Sequence, residues 1–98
     1  MDDVRSQIDH IDREIVAMIA ARTRYIDRAI AIKARDGLPA YIPERVEDVV
    51  ANACAAARQT GAPEHIVETI WRVMVDLFIA REAPHLAGSA AAPPPRRS

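Results

Sequence analysis

Residues 4–35 read VRSQIDHIDREIVAMIAARTRYIDRAIAIKAR, and stepping through them by alternating fours and threes lands on Val4, Ile8, Ile11, Ile15, Met18, Arg22, Tyr25, Ala29 and Ile32. Apart from Arg22, that series places apolar side chains along one face of a helix. The stretch therefore predicts one long amphipathic helix with a charge on its inner seam. The length decides the fold and the charge poses the chemical question.

Glycine occurs only at positions 37, 61 and 88, and proline clusters near the same places, which divides the chain into three segments. The first helix is expected from about Asp3 to about Asp36, capped by Asp2 or Asp3 and stopped at Gly37-Leu38-Pro39. The second is expected to start near Pro43, which suits a first helical turn, and to end at Thr60-Gly61. Pro63 opens the third, which runs to about Glu82 or Ala83 and is closed by Pro84. No strand-like alternation is present, so an all-α domain is expected over residues 1–86. A Gly/Ala/Pro-rich tail, 87–98, is expected to be disordered.

A helix of some thirty-odd residues is about 50 Å long, whereas a compact chain of about 100 residues has a radius of gyration near 13 Å. Two shorter helices cannot cover it. The expectation is an intertwined helical homodimer, with a plain three-helix bundle as the less economical alternative. On the second helix Val46, Val49, Val50, Ala53, Cys54 and Ala57 share a face. The third carries two apolar rows, Ile66, Ile70, Val73, Leu77, Ala80 and Val67, Trp71, Val75, Phe78, and is expected to be buried on more than one side. One more turn along the second row reaches Glu82.

Composition excludes several functions. With 13 basic against 14 acidic residues and a net charge of -1, the chain lacks the basic excess of a nucleic-acid binder. Its single cysteine, Cys54, forms no internal disulfide and suits a reducing compartment. The opening MDDVRSQIDH has neither a signal-peptide run nor a membrane span, so a cytoplasmic location is expected. His10, His65 and His85 lack zinc-site spacing, and no phosphate loop, nucleophile elbow or paired-carboxylate motif occurs.

Two cations stand out. An unpaired charge on a buried seam costs several kcal/mol, so Arg22 must pair with an acid such as Asp27, Glu44 or Glu82, reach water by its long stem, or grip an anionic ligand with its planar fork. Lys33 is the only lysine beside twelve arginines, through codon preference or because an ammonium is required there. Eleven residues separate the two, almost three turns, so they look out from nearly the same face. Opposite a helix ending in Glu82, they outline a small polar chamber.

Val4-Arg5, Ile8-Asp9, Ile11-Asp12, Ile15, Arg22 and Lys33, then Gly37-x-Pro39 and Pro43-Glu44-Arg45, resemble the all-α, or type II, class of chorismate mutases over roughly residues 3–84. The resemblance implies an intertwined dimer of three-helix protomers that rearranges chorismate to prephenate without cofactor or metal. It also implies roles. Arg22 matches the arginine that holds one substrate carboxylate, and Arg5 the one that reaches into the partner's site for the other. Lys33 matches the lysine on the ether oxygen, and Arg45 an arginine completing the anionic pocket. Glu82 matches a polar residue, commonly glutamine but glutamate in fungal members, that donates to the same oxygen. Ile42, Val46 and Phe78 complete the expected substrate-binding wall.

A sigmatropic rearrangement needs no base or nucleophile; it needs a flexible substrate folded into a chair and charge stabilised on the oxygen of the breaking bond. Glu82 can donate there only when protonated, a form that burial favours. Activity is then expected to fall as pH rises through the titration of Glu82. The chain departs from bacterial mutases in having Val46 and Ile42 where they carry glutamate and aspartate. In Pro43-Glu44-Arg45-Val46 it is similar instead to isochorismate pyruvate lyases, which form salicylate and pyruvate but keep glutamine at the Glu82 position. The expected function is thus chorismate mutase, with the lyase second and a non-catalytic helical dimer third.

Overall fold

In the computed structural model, which describes residues 1–86, three helices follow in order: α1 (Asp2–Asp36), α2 (Pro43–Thr60) and α3 (Glu64–Glu82). A single 3-10 turn over Ala83–His85 leads off α3. The described residues contain no strand. The tail expected over 87–98 lies outside them.

Local chemistry explains each boundary. Gly37 takes the left-handed conformation, φ 72°. There the Leu38 N–H reaches the Lys33 carbonyl at 2.8 Å and the Gly37 N–H the Ala34 carbonyl at 3.4 Å, so the last carbonyls of α1 are satisfied by a Schellman turn. Ile42 is extended, and its carbonyl accepts from the Arg45 and Val46 N–H groups at 3.0 and 3.1 Å, starting α2 at a proline whose missing N–H costs nothing there. Gly61, φ 80°, ends α2 in the same left-handed way. The expectation of an Asp2 or Asp3 cap is corrected: Met1 holds the cap position, with no side-chain cap bond. Both aspartates lie inside the first turn, where their charge still favours the positive helix end.

The core lies between α2 and α3. Val46, Val50, Ala53, Cys54 and Ala57 are buried along α2, with Val49 half-buried. Their small size allows α3 to approach closely with Val75 and Ile79, while Ala40 and Leu86 close the end of the core. One expectation for α3 is corrected. The row Val67, Trp71, Val75, Phe78 is buried or half-buried, but Ile66, Ile70, Val73 and Leu77 are all more than half exposed. That row points directly away from Val75, so α2 cannot reach it.

α1 buries none of its 35 residues. Val4, Ile8, Ile11, Ile15 and Met18 each stand at least half exposed, although they form its regular apolar row. The chain measures 51 × 26 × 23 Å with a radius of gyration of 15.7 Å, well above the ~13 Å of a compact chain this long. The excess is α1 projecting past its two partners. No helix among the described residues is long and apolar enough to cross a membrane.

Candidate active site

Where the last four turns of α1 meet the start of α2 and the end of α3, the helices leave a cavity of about 180 Å³. Arg22, Lys33, Arg45 and Glu82 line it, together with Ile42, Val46 and Phe78. Seven of the eight expected site residues thus share one hollow. Arg5 is the exception: it sits seventeen residues before Arg22 on the same helix, about 25 Å away along the axis, on a stretch with no cover from its own chain.

Each side chain is held for a local reason. Ile42 and Arg45 flank the proline that starts α2, so the turn geometry aims Arg45 from the first helical turn toward the cavity mouth. The guanidinium of Arg22 lies over the Phe78 ring, 5.0 Å from its centroid, a contact that orients a cation without neutralising it. Its Nη1 is buried and has no hydrogen-bond partner. None of the three acids that could have paired with Arg22 forms a salt bridge with it: Asp27 is bound by Arg81 and Glu82 by Lys33. Burial, and after it repulsion from Arg45, lowers the Arg22 pKa below the ordinary arginine value, while Glu82 acts in the opposite sense. The site therefore holds a partly dehydrated cation beside a second cation, with a polar edge unsatisfied.

Glu82 is 5 % exposed, the buried acid expected at the end of the apolar row. Lys33 donates to its Oε1 at 3.0 Å and to the Ala40 carbonyl at 3.3 Å. An ammonium carries three N–H bonds, so one remains for whatever occupies the cavity. This direct pair was not foreseen from the sequence, which placed both groups on one ligand atom. Neither was the Ala40 carbonyl, since a backbone acceptor leaves no signature in residue types. Ile79, which also lines the cavity, belonged to neither apolar row; the spacing Val75, Ile79, Glu82 is a third row that holds the core.

Val46 and Ile42 give the α2 side of the cavity an apolar wall. A ligand suited to this space carries two negative charges for Arg22 and Arg45, a compact apolar skeleton, and an acceptor for the free Lys33 N–H.

Chorismate mutase type II is the family whose model matches the chain, over residues 4–83. Among curated proteins, T-protein of Enterobacter agglomerans is 32% identical over 69 residues, 70% of this chain and 18% of that protein. T-protein of Haemophilus influenzae is 31% identical over 72 residues, 74% of this chain and 19% of its own. The chain thus spans about a fifth of either T-protein. Isochorismate pyruvate lyase of Pseudomonas aeruginosa is 31% identical over 81 residues, covering 82% of this chain and 78% of the lyase. No solved structure matches the chain.

Proposed function

The chain belongs to the type II chorismate mutase family, a family of isomerases, and from that premise we propose that it rearranges chorismate to prephenate in aromatic amino acid biosynthesis. The observation that carries the proposal is Arg22: a buried guanidinium edge, without a protein partner, facing a cavity it shares with Lys33 and Arg45. Arg22 and Arg45 take the ring and enol-pyruvyl carboxylates together with the partner's Arg5, folding the substrate so that the reacting carbons approach. Lys33 and Glu82 flank the ether oxygen, where negative charge grows as the bond breaks. The reaction requires no group beyond these side chains.

Purified protein incubated separately with chorismate and with isochorismate is expected to form prephenate from the first. Formation of salicylate and pyruvate from isochorismate, with no prephenate from chorismate, would replace this function by the lyase. Two features favour that second possibility: the Pro43-Glu44-Arg45-Val46 stretch with its apolar wall, and a match that covers 78% of the Pseudomonas lyase. Glu82 favours the mutase.

The active unit is a homodimer. Residues 2–18 hold five acidic and two basic residues, and 19–36 hold five basic and two acidic. Two α1 helices therefore attract when antiparallel, each acidic half lying over the other's basic half. Such pairing also covers the exposed Val4-to-Met18 row and carries Arg5 toward the partner's cavity. Mixing Arg5→Ala with Lys33→Ala tests this directly. Each variant alone is nearly inactive. Random exchange makes half the molecules heterodimers with one intact site of two, so about a quarter of wild-type activity returns; no recovery after exchange means that Arg5 acts elsewhere. A cytoplasmic setting is supported by the lone, buried, unpaired Cys54.

A further inference from the structure

Near its C-terminal end α1 meets α3 at Ile30 and through two ion pairs. Ile30, half-buried against the core cluster, lies in the middle. Three residues before it, Asp27 receives both terminal nitrogens of Arg81, with Oδ2 at 3.4 Å from Nη2. Three residues after it, Lys33 binds Glu82. Steps of three place Asp27, Ile30 and Lys33 side by side around the helix, and their partners Arg81 and Glu82 are neighbours in sequence. The two pairs differ in setting. The Lys33–Glu82 pair is sheltered and faces the cavity, with side chains 20% and 6% exposed, whereas the Asp27 and Arg81 side chains are each half exposed on the outer flank.

An anion entering the cavity draws on Lys33 and so competes with the inner pair. The outer pair then remains to hold the end of α3 against a helix that has no fully buried residue of its own. Its geometry suits that task, because a fork gripping both carboxylate oxygens fixes direction as well as distance. The Arg81 hydrogen bond holds the Asp27 carboxyl below the usual aspartate range, and the charge of His85, which lines the same small hollow, acts in the same sense.

We propose that Asp27 and Arg81 form an outer clamp that keeps Glu82 in position while Lys33 engages the bound anion, which makes both of them positioning residues. The proposal rests on the mutase function given above. A half-exposed ion pair adds little to folding stability, but a displacement of about 1 Å at a reacting centre costs up to 100-fold in rate. The clamp therefore acts on turnover more than on folding.

The test uses Asp27→Ala and the charge-swapped Asp27→Arg/Arg81→Asp protein. Asp27→Ala is expected to lower kcat about tenfold with KM changed less than about twofold, and the swap to recover most of the loss. A second measurement needs no substrate. The melting temperature lost in Asp27→Ala/Lys33→Ala should exceed the two single losses together, because either pair alone still holds the helix end. Wild-type kcat in Asp27→Ala, a swap that recovers nothing, or additive melting losses would each overturn the clamp. If neither chorismate nor isochorismate is turned over by the wild type, the proposed function fails, and the melting cycle alone decides whether the clamp exists.

Discussion

Replacing Arg22 with leucine is expected to make the protein more stable and to abolish its activity. The buried Nη1 has no partner, and leaving such a donor unpaired costs about 1–3 kcal/mol. Burial and the neighbouring Arg45 both disfavour the charge. Leucine keeps an apolar side chain on the seam and removes the charge. A gain of about 1 kcal/mol, or roughly 4–8 °C in melting temperature for a domain of this size, follows. Turnover is expected to fall about 100- to 1,000-fold, the loss typical of one missing charge-stabilising donor. Saturating the wild type with a dicarboxylate substrate analogue should raise its melting temperature, by about 2.7 kcal/mol of stabilisation at a hundred times Kd. The leucine variant should not respond. A variant less stable than wild type would instead mean that Arg22 has a structural partner, and that its place on the seam has a different cause.

This opposition between stability and function is what made the site legible from sequence. Arg22 interrupts a row that otherwise obeys helical spacing, and a residue that breaks a local rule without evident gain points to a ligand. Lys33 was visible as the only lysine, and Glu82 as an acid ending an apolar row. Helix boundaries were legible because Gly37, Pro43, Gly61 and Pro63 leave the backbone few choices. Four features were not legible. The Lys33–Glu82 pair spans 49 positions, and no spacing rule connects groups so far apart. The exposed face of α3 could not be told from a buried one, since apolar spacing marks a face without marking what lies against it. Ile79 falls on neither row, because the α2–α3 packing selects the strip beside Val75 that fixed steps of three and four pass by. The Asp27–Arg81 pair was hidden for a related reason: Asp27 had been weighed as a partner for Arg22, five residues away, when its partner comes from another helix.

Replacing Lys33 with alanine is expected to lower turnover of chorismate at least about 100-fold and, unlike the change at Arg22, to destabilise the protein. Glu82 loses the ammonium on its Oε1, and the Ala40 carbonyl loses a donor. Stranding one member of a buried pair costs about 3–5 kcal/mol in a sealed interior, and less here, because the cavity lets water reach the carboxylate. Adding Glu82→Gln to Lys33→Ala should return much of the lost stability, since a neutral amide is far less costly to bury than a lone carboxylate. It should return none of the activity, because the N–H bond directed at the ether oxygen is still missing. Glu82→Gln alone separates the two roles. It removes the charge paired with Lys33, keeps an acceptor for it and supplies an amide donor, so it should retain activity. The measurements are thermal unfolding of all three variants and their initial rates. If Lys33→Ala turned over both chorismate and isochorismate at the wild-type rate, the cavity would not be a catalytic site. The family fold would then serve here as a helical dimer that binds anions without transforming them.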